Sequence, residues 1–344
     1  MEAHWTPITP EAARHAPDSA AVRPDKTAPE GFERDSTISD TLQILADPWR
    51  FLVIREAFFG AHRFGEFAGQ LGIPRATLAK CLARLVESGI FEERPLAAGS
   101  SWKRYLLSER GRDLYAIFLG LMWYGDKWLC EGLPPVALFH RPTRRWFSPR
   151  IVWEHDLSAV DPRSVFFRIR EGYWRPRQAR AERSRRMSRS AEPRGRRPSS
   201  VERTLSIVGD RWTFLILQEF FHGNKRFEDF SHNLGIASNI LADRLNNLVA
   251  GGLIERPSEG AGRYLLTRKG LDIYGPMILM KSWGDRWCRS EAEITSQFVA
   301  RASGTVTRAI VVVPGQTTPI SARDVGYMTT YALDDSVSRT TARS

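Results

Sequence analysis

A chain that writes one phrase twice is constrained to fold as two copies of one unit. Here "RFGEFAGQLGIPRATLAKCLARLVESGIFEE" (63–93) returns 163 positions later as "RFEDFSHNLGIASNILADRLNNLVAGGLIER" (226–256). Thr41–Glu92 aligns on Thr204–Glu255 without a gap, with 23 identities in 52 positions, among them Asp47/Asp210, Trp49/Trp212, Glu56/Glu219, Arg63/Arg226 and Leu82/Leu245. After a short deletion the match resumes, "RYLLSERG" at Arg104 with "RYLLTRKG" at Arg263 and "YGDKW" at Tyr124 with "WGDRW" at Trp283. Self-similarity at this period sets the architecture before any local pattern does.

Within each copy the hydrophobic period changes in a fixed order. "DPWRFLVIREAFFG" has helical spacing and ends at Gly60; "RFGEFAGQLG" is a shorter helix closed by Gly72. "IPRATLAKCLARLVESG" starts at Pro74, expected at the first helical position, lines Leu78, Leu82 and Leu85 on one face, and stops at Gly89. "IFEERPL" and "SWKRYLL" predict two strands around a Gly/Ser turn, and one long helix is expected from about 109 to 128. Three helices and a hairpin make a winged helix-turn-helix. The expected fold class is α+β, mainly helical: two tandem winged helix-turn-helix domains, each followed by a small β appendage. The expected boundaries are a disordered tail (1–36), the first domain (37–132), its appendage (141–174), an Arg-rich disordered linker (175–199), the second domain (200–291), its appendage (296–330) and a disordered tail (331–344).

Charge separates linker from domains. Residues 141–200 hold 17 arginines, no lysine and six acidic residues, which is the chain's whole net charge of +11. "RPRQARAERSRRMSRSAEPRGRRPSS" (175–200) reads as a solvated tether or as an arm that adds non-specific phosphate attraction. The longest apolar stretch, 114–125, is too short for a bilayer, and the N-terminus has no apolar signal core. A cytoplasmic, nucleoid-associated protein is expected. Three cysteines far apart without a CxxC pair argue against disulfides or zinc, and His155 stands alone, so neither metal nor cofactor is expected. No HExxH, GxSxG, GxGxxG or GxxxxGK(S/T) occurs, so no enzyme is expected.

Both copies resemble the HxlR-type bacterial transcription regulators, relatives of the MarR type. The resemblance rests on Trp49/Trp212, "RF..F" before the turn, "LGI....LA..L..L...G" through the third helix and "RYLL(S/T)..G" after the hairpin. It implies a regulator whose third helix enters the major groove and whose terminal helices dimerise. The first copy departs from the pattern at Cys81, where the second has Arg244. The appendages are similar to the cysteine-bearing, zinc-ribbon-like tails of some relatives, without the cysteines.

With Leu78, Leu82 and Leu85 inward, the third helix of the first copy turns Ala76, Thr77, Lys80, Ala83 and Arg84 outward, beside Arg75. In the second copy the outward set is Asn239, Ile240, Asp243, Asn246 and Asn247, with Ser238 and Arg244. Lys and Arg suit guanine edges or phosphates and Asn suits adenine, so the halves should prefer different bases. Arg63, Lys225 and Arg226 near the turns, with Lys103, Arg104 and Arg263 on the hairpins, are candidate backbone contacts. The terminal helices are apolar on more than one face, which predicts pairing with the counterpart helix of the other copy. Trp123, Trp128, Trp283 and Trp287 on them are candidates for a small-molecule effector pocket. The expected partner is double-stranded DNA, with no membrane. The expected function is a repressor-like, sequence-specific regulator acting as a pseudo-dimer within one chain; further pairing into a homodimer stays open. The alternative is a protein-interaction module that has lost DNA binding.

Overall fold

The computed structural model describes residues 27–45, 47–97, 100–177, 199–208, 210–257 and 262–330. From the N-terminus, β1 (Phe32–Arg34) precedes α1 (Thr37–Leu45), α2 (Pro48–Phe58), α3 (Phe64–Leu71), α4 (Arg75–Glu87), β2 (Phe91–Pro95), β3 (Lys103–Leu107), α5 (Glu109–Asp113) and α6 (Tyr115–Trp128). The first appendage holds β4 (Val136–His140), β5 (Arg145–Phe147), β6 (Arg150–Trp153), β7 (Val165–Ile169) and β8 (Trp174–Pro176). The second copy repeats the order with α7 (Ser200–Val208), α8 (Arg211–Phe221), α9 (Phe227–Leu234), α10 (Ser238–Ala250), β9 (Ile254–Glu255), β10 (Leu265–Leu266), α11 (Arg268–Asp272) and α12 (Tyr274–Trp287). Its appendage holds β11 (Ser296–Ala300), β12 (Val306–Thr307), β13 (Ala309–Val312) and β14 (Val325–Thr329). Among the described residues no helix is long and apolar enough to cross a membrane.

Local chemistry explains the boundaries. Asp47 caps α2 by accepting from the Arg50 amide at 2.9 Å, and Asp210 caps α8 by accepting from Trp212 N at 3.0 Å. Gly72 (φ +60°) and Gly235 (φ +56°) end α3 and α9 in the left-handed region that a turn into the third helix requires. Two expectations shift slightly. Pro74 is the N-cap of α4, not its first residue. The expected helix over 109–128 is two, α5 and α6, broken at Leu114. Ser108 caps α5 by accepting from Gly111 N at 3.0 Å, and Gly111 lies against the Ile90 backbone so closely that a Cβ would not fit.

The chain forms two compact units, and neither is simply one copy. One unit combines α2–α6 and β2–β5 with most of α7 and with β14. The other combines β1, α1, β7 and β8 with α8–α12 and β9–β12. The first helix of each copy is thus exchanged, and so are appendage strands: β14 joins the first unit, β7 and β8 the second.

In the first unit, Phe51 of α2 stacks on Phe118 of α6 with centroids 4.2 Å apart. The second apolar face of α6 is covered by α7: Thr204 Oγ1 donates to Leu121 O at 2.9 Å, and Gly125 lies against Ser200 O where any Cβ would collide. Buried Arg55 pairs with Glu56 at 2.7 Å and with Glu202 of α7 at 3.0 Å. Strand β14 runs antiparallel to β4 from Val325/His140 to Thr329/Val136, and β4 pairs with β5.

The second unit repeats this. Thr41 Oγ1 of α1 donates to Met280 O of α12 at 2.9 Å, and Gly284 meets Thr37 O. The second apolar face of each terminal helix, expected to meet its counterpart, is therefore covered by the first helix of the other copy. Strand β7 runs antiparallel to β11 from Val165/Ala300 to Ile169/Ser296. Residues 27–36 and 175–176, expected to be disordered, are ordered here: β1 pairs with β8, and Arg34 is buried 2.9 Å from Glu219 of α8. Burying that arginine without a partner would be costly, so the ion pair and the Tyr173 hydroxyl at 3.2 Å fix the strand's place. The rest of the Arg-rich linker, 178–198, and the tails 1–26 and 331–344 lie outside the described residues.

Candidate nucleic-acid interface

In each copy the helix after the left-handed glycine carries its own sorting of faces. Along α4, Leu78, Cys81, Leu82 and Leu85 are buried, which leaves Arg75, Ala76, Lys80, Ala83 and Arg84 exposed and Thr77 half-buried. Arg75 lies over the Phe64 ring, 5.0 Å from its centroid, which holds the guanidinium at the start of the helix. Arg84 reaches Glu87 Oε2 at 3.0 Å with both side chains mostly exposed. Such a surface pair is worth less than about 1 kcal/mol, so Arg84 can leave it for a stronger acceptor.

Along α10, Leu241, Arg244, Leu245 and Leu248 are buried, while Ser238, Asn239, Asn246 and Asn247 are exposed and Ile240 and Asp243 half-buried. One expected contact is corrected. Arg244 is only 8% exposed; its Nε lies 3.0 Å from Asp210 Oδ2, and its Nη1 donates to Asp243 at 2.5 Å. It ties the third helix to the cap of α8 and pairs with Asp243, whose own side chain stays 44% exposed. Cys81 holds the same position in the first copy. It is buried, its thiol pushed up to about 11 by burial and then by the Asp47 carboxylate.

The hairpins are stitched to the turns at matching points. Tyr105 N donates to His62 O at 2.7 Å and Tyr264 N donates to Lys225 O at 2.7 Å. Arg63 pairs with Arg104, and Arg226 with Arg263, as isolated bridges. Each pairing brings two arginine positions together beside the third helix. Arg63, Lys103, Lys225, Arg226 and Arg263 are exposed and Arg104 is half-buried. Lys103 Nζ sits 2.6 Å from Glu93, a carboxylate that raises the ammonium's pKa. The ladders differ: β2 and β3 pair over five residues, β9 and β10 over two.

Trp102, 76% exposed in the connection between β2 and β3, went unnoticed in the sequence. The signal was an aromatic residue inside a Gly/Ser turn. The four tryptophans expected to line an effector pocket lie on the two terminal helices, Trp123 and Trp128 on α6 and Trp283 and Trp287 on α12. Trp283 is core, while Trp123, Trp128 and Trp287 are half-buried under Lys127 and Arg286. His155 bonds Thr307 Oγ1 at 2.9 Å, which gives it a structural partner.

The HxlR-like helix-turn-helix family model matches this chain twice, at residues 44–132 and 207–292. An uncharacterised HTH-type transcriptional regulator of Mycobacterium tuberculosis is 40% identical over 136 residues, which cover 39% of this chain and 85% of that protein. The HTH-type transcriptional regulator YodB of Bacillus subtilis is 30% identical over 93 residues, 26% of this chain and 83% of its own length. The crystal structure of PA1607, at 34% identity, aligns with a TM-score of 0.34 over 39% of this chain and 94% of its own. The two matched regions span half the chain and coincide with the two copies that carry α4 and α10. The chain belongs to the HxlR-like helix-turn-helix family and carries that domain in tandem.

Proposed function

We propose that this protein is a sequence-specific, DNA-binding transcriptional regulator, repressor-like, in which one chain does the work of a dimer. The observation that carries the reading is the pair of third helices. Each is anchored by three leucines and presents an exposed polar face beside a turn-and-hairpin cluster of arginines and lysines. Third helices would read base edges, while Arg63, Lys103, Arg104, Lys225, Arg226 and Arg263 would hold phosphates, with the hairpins acting as wings. The relatives' names, as transcriptional regulators, support the same role. Exchange of the first helix and of appendage strands supports the pseudo-dimer. Each helix-turn-helix unit is completed by the other copy, as the subunits of an intertwined homodimer would be, so a separated copy lacks part of its core. Fusion also lets the faces diverge, to a cationic one and an amide-rich one.

Selection of genomic fragments by the purified chain, followed by gel shift against rising salt, tests the reading. A selected sequence with two unlike half-sites, bound less tightly as salt rises, is expected. Absence of any salt-sensitive shift would favour the interaction module.

A further inference from the structure

The hairpin of β4 and β5 in the first appendage has a tip built against the backbone's preference. His140 pairs with Arg145 across the two strands, which leaves residues 141–144 as the loop. Arg144 N donates to Arg141 O at 3.3 Å, and His140 Nδ1 is bonded to Thr143 Oγ1 at 2.8 Å. Arg144 itself stands at φ +53°; among the described residues Leu157 is the only other non-glycine in that region. The second appendage makes the same turn between Ala300 and Thr305, where Ala300 N donates to Thr305 O at 2.9 Å, and it places Gly304 at the matching position with φ +70°. Glycine enters the left-handed region freely, whereas a residue with a Cβ does so at a cost. An arginine kept where glycine makes the same turn calls for a use of its side chain.

The surroundings say what that use is. Residues 141–150 contain Arg141, Arg144, Arg145 and Arg150 and no acidic residue. All four are exposed, and among the described residues none of their guanidinium groups has a carboxylate partner. Thr305 stands at the position of Arg145, as Gly304 does at that of Arg144, so the cluster belongs to one copy only. Trp146, 55% exposed, is held edge-on against Phe139 with centroids 5.2 Å apart, which sets a fixed apolar surface beside the charges. Guanidinium groups without counter-ions around an exposed ring suit a sugar-phosphate backbone. The sheet also adjoins the turn that precedes the helix-turn-helix of its own unit. Tyr327 of β14, the neighbour of β4, donates to Phe59 O at 3.1 Å, and the turn after Phe59 carries Arg63 and receives Tyr105 of β3 at His62 O.

We propose that this hairpin is a further, sequence-independent DNA contact, in which Arg144 and Arg145, with Arg141, hold phosphates of the duplex beside the half-site addressed by α4. It rests on the DNA-binding reading and adds a grip that the helix-turn-helix and its own hairpin do not supply.

Gel shift of the full chain on duplex DNA over a range of salt tests it. Arg144→Gly copies the second appendage, so its melting temperature should be unchanged or higher, while the slope of log affinity against log salt falls by about one. Arg144→Lys, which keeps the charge, should keep most of the slope. Arg141→Ser, Arg144→Ser and Arg145→Ser together should lower the slope by about two to three and weaken binding about tenfold or more at ~0.1 M salt, with the selected base sequence unchanged. If the unaltered chain shifts DNA and the glycine and triple variants match it in slope and affinity, this inference fails while the DNA-binding reading stands. If the unaltered chain shifts no duplex, both fail. A lower melting temperature for Arg144→Gly would show that the arginine serves the turn, and would overturn the inference as well.

Discussion

Single side chains in this protein divide by what they face, and Arg244 shows how spacing alone misleads. It lies on the same helix as the exposed Asn247, yet its guanidinium turns back to Asp210. Arg244→Ala should lower stability by about 1–3 kcal/mol, the cost of stranding a mostly buried carboxylate, as read by chemical denaturation. Its base preference should match the unaltered protein; a changed preference at unchanged stability would mean the side chain reads DNA. Arg84→Ala and Asn247→Ala should do the opposite, leaving stability within about 0.5 kcal/mol and changing base preference in one half-site each. Each lost base contact should cost about 1–3 kcal/mol in gel-shift affinity. Equal weakening of both halves by either variant would contradict the divided reading. Asp126 offers a pH readout. In the second copy Lys281 sits four residues before Asp285 and pairs with it, but the first copy has Met122 there. Burial accordingly raises Asp126 to about 6, against opposing help from Ser200 and Arg203. A raised folded pKa gives stability that is complete below about 4 and is lost as pH rises through 6. Asp126→Asn should therefore raise the melting temperature at pH 8, by the equivalent of about 1–2 kcal/mol, and leave it unchanged at pH 4. Equal shifts at both pH values would refute the assignment.

At the level of elements, the order of helices and the hairpin was legible because period and punctuation agree. Leu78, Leu82 and Leu85 fix one face of α4, and Gly72 and Gly89 fix its neighbours' ends. Helix exchange was not legible. "YGDKW" and "WGDRW" recur because Gly125 and Gly284 let another helix's backbone come close, but a glycine does not say which helix approaches. The over-apolar α6 and α12 announced a second packing surface without naming its occupant, and α1 and α7 are short, nine-residue helices. If α1 crosses α12 at Gly284, then Gly284→Ala must push Thr37 and Thr41 away, with an expected loss of about 1–3 kcal/mol in thermal or denaturant unfolding. Unchanged stability would contradict the close crossing.

Taken as a whole molecule, the chain encodes twice a domain that is not finished by its own sequence. Each helix-turn-helix borrows its first helix and strand pairing from the other copy, and on the proposed reading fusion would stabilise this arrangement. In two separate chains the exchange would depend on concentration; within one chain the partner is always present at the effective concentration its tether sets. Two third helices on one chain would then address two half-sites about 10 base pairs apart, the spacing of one DNA turn. The central claim is that this happens without a second chain. Light scattering of the protein on its selected operator tests it most directly. The account predicts one 39.1 kDa chain per duplex with both half-sites protected; two chains per duplex, with a footprint about twice as long, would contradict it.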